Sequence, residues 1–280
     1  MSTSDCRYVN SPPMYRLASL DPRAVMALVG GVLGLAVVTA VFALRGPSVY
    51  PGTGYPYDVP SSVGPPPFEP LGPDGLSDAF DNLGRVTVAG RPATLSIARA
   101  EDLVLPSGRM IAADAYALDG VPLSVTLPSG RYQVVLLQVS GEYGPSIAAA
   151  KVRFEDGAPA RWEAGPVYSV DSSTASFASP EAIAAFKALP RKQADAMTQR
   201  LLDEYDAAGG YALTAAMTVD PSSGANVVTF LSGLGDGAYR TWVGYDAAGT
   251  IVALLTSFDL VDDPARPIGG HASTAPIRSP

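Results

Sequence analysis

A single cysteine, Cys6, and a single histidine, His271, are all the chain offers for thiol or imidazole chemistry. With one cysteine no disulfide can form within the chain, and zinc or iron–sulfur sites built on thiolates are excluded. Cys6 precedes the long apolar run instead of following it, so it reads as a free thiol and not as a lipoprotein acceptor. His271 falls in a C-terminal stretch with no hydrophobic pattern, which removes a Ser-His-Asp or Cys-His triad and a histidine metal site. Glycine-rich Gly233–Gly237 leads into a strand pattern and lacks the Lys-Ser/Thr of a phosphate-binding loop. No EF-hand spacing of acids occurs. Neither a cofactor nor a metal is expected.

Charge is also sparse. Charged residues make up 16% of the chain and the net charge is −8. Arg7, Arg16 and Arg23 outweigh Asp5 and Asp21 before the apolar run, so the remainder carries −9. No basic patch is interleaved with aromatics, and an acidic domain repels phosphate backbones, so nucleic acid is not an expected partner.

What the chain does have is a 21-residue uncharged run, Ala24–Leu44. At about 1.5 Å per residue it spans roughly 31 Å, which matches a bilayer hydrocarbon core. Eleven of its residues are Val, Leu or Phe, and Thr39 is its one hydroxyl. The run predicts a transmembrane helix with the lipid bilayer as partner. A cleaved signal peptide is the rival, with Val41-Phe42-Ala43 as a weak cleavage site, but signal cores are shorter. Three arginines precede the run, and only Arg45 follows it before Arg85. The positive-inside rule then puts residues 1–23 in the cytoplasm and the rest outside, in a cell-membrane, single-pass topology. Gly30 and Gly34 form a GxxxG pair that allows close helix approach, so the expected state is a monomer or a weak dimer.

Residues 45–83 are rich in Pro, Gly, Ser and Tyr, and read as an extended stalk. Residues 84–262 form one globular domain, large enough for its own core. Alternation predicts strands at Arg85–Ala89, Ala93–Ala98 and Val121–Leu127, and Pro106-Ser107-Gly108 predicts a hairpin between Leu103–Leu105 and Met110–Ala112. Tyr132–Val139 is nearly continuous and apolar, as in a doubly covered strand, and Ile147–Phe154 follows. Ser179-Pro180-Glu181 starts a helix with Ile183, Phe186 and Leu189 on one face. Pro190 breaks it and a second helix runs to about Ala208. Strands resume at Tyr211–Val219, Ala225–Leu231, Tyr239–Tyr245 and Thr250–Phe258. The fold class is α+β: a mostly antiparallel β domain, sandwich-like or a bent sheet, with one inserted helical pair. Residues 263–280 are expected to be disordered.

LPSGRMIAAD (Leu105–Asp114), LPSGRYQV (Leu127–Val134), AAAKVRFEDGAPARWEAG (Ala148–Gly165), VDSSTASF (Val170–Phe177) and SGLGDGAYRTWVGYDAAGTIVAL (Ser232–Leu254) follow one another in order. Together they resemble the bacterial family catalogued as domain of unknown function 4241, over about Val86 to Asp262. The resemblance implies the fold and boundaries, and no particular activity. Ala113 and Ala175 stand where the family often has cysteine, and an Asp expected directly after Thr256 is displaced to Asp259.

Asp114, Asp171 and Asp236 each sit where a strand meets a turn. Paired carboxylates on converging loops can do acid/base work on a glycan; the alternative is that they cap turns. Tyr239 follows Gly233, Gly235 and Gly237, whose bare backbone admits a ligand to Asp236, although a tight architectural connection has the same composition. Trp162 and Trp242 read as core before they read as stacking platforms. With no complete catalytic set, the expected role is a binding or interaction module for a protein or glycan ligand. The alternative is an extracytoplasmic hydrolase using paired carboxylates.

Overall fold

The computed structural model describes residues 68–142, 144–207 and 213–268. The expected membrane segment at 24–44, its cytoplasmic tail and most of the stalk lie outside these. Among the described residues no helix is long and apolar enough to cross a membrane.

The described residues form a mostly antiparallel β architecture with a curled sheet and three helices. The large sheet has seven strands: β2 (Arg85–Val88), β3 (Arg91–Leu105), β5 (Gly130–Gly141), β6 (Gly144–Arg153), β12 (Ile251–Ser257), β11 (Gly237–Tyr245) and β7 (Arg161–Val170), in that spatial order. The small sheet orders β4 (Ile111–Asp114), β8 (Thr174–Ala178), β10 (Ala225–Leu231) and β9 (Thr214–Asp220). Leu103, Val134, Leu136, Val152, Phe177, Val228, Phe230 and Leu254 are buried in the core they share. A chain of rings crosses it: Phe177 meets Phe230 edge-on at 4.9 Å, Phe230 lies 6.0 Å from Phe258, and Tyr239 meets Phe258 edge-on at 5.0 Å.

The helical pair expected after Ser179 is present as α2 (Pro180–Ala188) and α3 (Arg191–Ala207). The Ser179 hydroxyl accepts the Ala182 amide at 3.1 Å, and Pro180 occupies a first-turn position where no donor is lost. Ala182, Ile183, Phe186 and Met197 cover the outer face of the small sheet.

Seven elements differ from the sequence expectation. Within the stalk segment, Phe68–Pro70 forms β1 and Pro73–Asp81 forms a helix, α1, with Leu76 and Ala79 buried against the far face of the large sheet. Pro73 starts α1 instead of preventing it, because a first-turn proline gives up no hydrogen bond. At the other end Asp262–Pro267 forms β13, antiparallel to β1, so order continues past 262. Leu105 and Met110 flank a turn, but β3 pairs with β5 and β4 with β8, so the turn crosses between sheets and no hairpin forms. Val121–Leu127 makes one bridge, Ile111 to Pro122, and otherwise buries Leu123 and Leu127 as a loop, since Pro122 and Pro128 interrupt a ladder. Strands β7 and β8 show no clear alternation, and the sequence pattern does not predict them.

Strand β3 carries a bulge within the curled large sheet. Its register with β5 shifts between Arg99 and Asp102. Beyond the shift, buried Asn226 of β10 accepts the Val104 amide at 2.9 Å and donates to the Asp102 carbonyl at 2.7 Å. One side chain thus ties the bent end of β3 to the small sheet.

Candidate functional site

The structure brings Asp114, Asp171 and Asp236 to one place, the crossover 171–173 between β7 and β8. Asp114 is buried at the end of β4. Its Oδ1 accepts the amides of Tyr116 (2.8 Å) and Ala117 (3.0 Å), and its Oδ2 those of Asp171 and Ser172 (both 2.9 Å). Burial pushes this carboxyl up, but hydrogen bonding by Ser172, Ala117, Tyr116 and Asp171 holds it below its ordinary pKa. Asp171 itself contributes an amide and leaves its side chain exposed. Asp236 reaches the same turn from the loop between β10 and β11, and its Oδ1 accepts the Ser173 amide at 2.8 Å and hydroxyl at 3.0 Å. Ser173 needs this support because its φ is +56°, a conformation that disfavours a side chain.

Tyr239 does not face solvent. Its ring is buried and its hydroxyl donates toward the carbonyls of Gly235 (2.7 Å) and Ser232 (3.2 Å), holding the loop that presents Asp236. Burial, with Asp259 nearby, pushes the phenol up to about 12. Asp259 is raised from its ordinary value by its crowded setting in spite of a hydrogen bond from Ser257. Each of the two crossovers, 171–173 and 232–236, joins one sheet to the other. The acidic residues therefore clasp the points where the chain changes layers, with Asp114 and Asp236 capping turns.

Asp236→Asn keeps the Oδ1 that receives both bonds and removes only charge. The expected loss of stability is under about 1 kcal/mol, measured by urea unfolding. A larger loss with no separate loss of binding assigns Asp236 to the turn alone.

The large recess lies elsewhere. A polar groove of about 700 Å³ opens between the bulge of β3 and the free edge of β9, lined by Arg99, Glu101, Arg131, Thr214, Ala216 and Thr218 among others. β9 ends the small sheet and, among the described residues, pairs only with β10. The Leu231 amide donates to the Leu213 carbonyl, and Ala215 and Met217 stand opposite Thr229 and Val227. By antiparallel alternation the amides and carbonyls of Thr214, Ala216 and Thr218 then point away from β10, into the groove. Sequence reading does not find this edge, because strand order is set by contacts remote in the chain.

The protein family of unknown function DUF4241 has a model that matches residues 103–256. The chain belongs to this family. No curated protein and no solved structure matches it. The DUF4241 match takes in β3's bent end through β12, and with them Asp114, Asp171, Asp236, Tyr239 and the β9 edge. It leaves out β1, α1, β2, the first part of β3 and β13; of these, α1 and Val88 of β2 belong to the core on the far face of the large sheet.

Proposed function

We propose that this DUF4241 protein is a membrane-tethered binding module that takes an extended peptide as an added strand along β9. The observation that carries the reading is the groove on an open strand edge. Thr214, Ala216 and Thr218, whose amides and carbonyls point away from β10, line it, and Arg99, Arg131 and Glu101 face them with charge of both signs. Main-chain pairing supplies affinity in such a mode and flanking side chains supply selectivity. Its volume, about 700 Å³, is in the ordinary range of ligand sites. The hydrolase reading needs carboxylates free to face a substrate, whereas both Asp114 oxygens already receive two amides each.

Anchoring by residues 24–44, with the domain outside, is supported by the length and composition of the run and by the arginines before it. Under this topology protease added to spheroplasts removes the domain, and carbonate leaves the anchor in the membrane.

Thr218 is exposed, and its outward amide is one of those the added strand would use. Peptides selected on the full chain in detergent are expected to lose at least about tenfold in affinity for Thr218→Pro, while the melting temperature moves little because an edge strand tolerates proline. Ligands methylated at alternate backbone nitrogens should fail in the same way. Equal affinity for Thr218→Pro and the parent rules out strand addition at β9.

A further inference from the structure

The chain has three lysines. Lys187 and Lys192 are exposed on helices, whereas Lys151 is 4% exposed near the C-terminal end of β6. Its ammonium donates to the Ser77 hydroxyl of α1 at 2.9 Å and lies 5.1 Å from the centre of the Phe80 ring. A lysine so placed loses hydration, and burial lowers its pKa, with Asp81 and Asp78 opposing and Arg153 adding to the fall. It forms part of a polar cleft between α1 and the large sheet, which Arg153, two residues along on the same face of β6, also lines.

The opposite wall is acidic. Asp74, Asp78 and Asp81 follow i, i+4, i+7 spacing, so they share one face of α1, and all three line the cleft. This stripe is unfavourable for the helix by itself. Like charges four apart repel, and Asp78 and Asp81 lie toward the C-terminal end, where the helix dipole favours cations and the last turn has none. Two cations on the sheet thus oppose three carboxylates on the helix. Among the described residues, however, the ion pairs are Arg91–Glu142, Arg161–Glu163, Arg191–Asp195 and Arg266–Glu69, and none closes across the cleft. The gap measures about 60 Å³, and Trp162 forms part of its wall. At roughly 10–15 Å³ per water it has room for about five heavy atoms, the size of glycine.

We propose that this cleft binds a small zwitterion of the amino-acid class. Lys151 and Arg153 take its carboxylate, the carboxylates of α1 take its ammonium, and Trp162 meets the first atoms of its side chain. A simple anion would face three aspartates, and a simple amine would face the buried lysine. Only a ligand with both charges a short distance apart satisfies both walls. The site is separate from the β9 groove, and neither reading depends on the other.

The test is calorimetric titration of the full chain in detergent with glycine and L-alanine, alongside acetate and ethylamine as single-charge halves. Saturable binding of an amino acid, with neither half binding comparably, is expected. Lys151→Met, which keeps the side chain's bulk, and Asp78→Asn, on the exposed side of α1, are each expected to weaken it at least about tenfold. If Lys151→Met does not fold by circular dichroism, Arg153→Gln at the strand end replaces it. Absence of saturation up to about 10 mM amino acid, acetate binding as tightly as alanine, or unchanged affinity in the folded variants overturns the proposal.

Discussion

Asp114→Asn is expected to destabilise the domain by about 3 to 5 kcal/mol, read as a fall in urea midpoint with little change in slope. The carboxylate receives two amides on each oxygen in a buried site. Asparagine keeps one oxygen and turns an NH₂ toward the other pair, so two buried donors face donors. Each such donor costs about 1 to 3 kcal/mol, and the lost charge weakens the remaining pair. The same clasp predicts a pH effect of definite sign. The folded-state pKa of Asp114 is held below its usual 3.8, so the unfolded chain binds the proton more readily. Its contribution is therefore fully present above the unfolded value and is lost as pH falls through the folded one. In the variant this part of the acid unfolding below about pH 4 should vanish. A stability loss under about 1 kcal/mol with an unchanged acid limb would mean that the four amides are satisfied some other way.

The contrast between Asp114 and Asp236 bears on what the sequence disclosed. Both stand out as acids at strand ends, and the structure brings them to one turn. Asp114 Oδ1 takes amides two and three residues on, but the donors to its Oδ2 and to Asp236 lie 57 to 63 residues away, so local sequence does not say that both carboxylates are spent on backbone. Locally determined features are legible: the Ser179 cap, the apolar runs that form β5 and β6, and the strand patterns at Tyr239–Tyr245 and Thr250–Phe258 that form β11 and β12. Where a turn could either fold a strand back or pass it to another layer, local chemistry did not decide. Pro106-Ser107-Gly108 looks like a hairpin turn and is a crossover. In α1 the surrounding prolines masked a helix whose stability comes from burying Leu76 and Ala79. Lys151 left a readable trace, a cation inside the apolar run Ile147–Val152, but only the position of α1 gives it a cleft.

The two LPSGR segments meet in the fold, and this sets up the sharpest steric prediction. Gly108, in the first copy, has φ +72°, and its carbonyl accepts the amide of Leu127, which opens the second copy, at 2.8 Å. A Cβ placed on Gly108 would lie 2.0 Å from the Leu127 carbonyl oxygen, so backbone must move. Gly108→Ala therefore combines three losses. Left-handed φ costs alanine about 1 to 2 kcal/mol. Displacing Leu127 breaks the bond to its amide, about 0.5 to 1.5 kcal/mol. It also shifts Leu105, Met110 and Leu127, all buried in the main core, at a further 1 to 3 kcal/mol. The expected total is about 3 to 5 kcal/mol. Gly249→Ala is the control. Its φ of +85° imposes a similar backbone penalty, but nothing lies within 4 Å of the added Cβ. It should lose only the conformational share, about 1 to 2 kcal/mol. The difference between the two, measured by thermal or urea unfolding, isolates the contact between the turns. If both variants lose the same amount, the repeated turns do not bear on each other and the crossover is held by Asp114 and its neighbours alone.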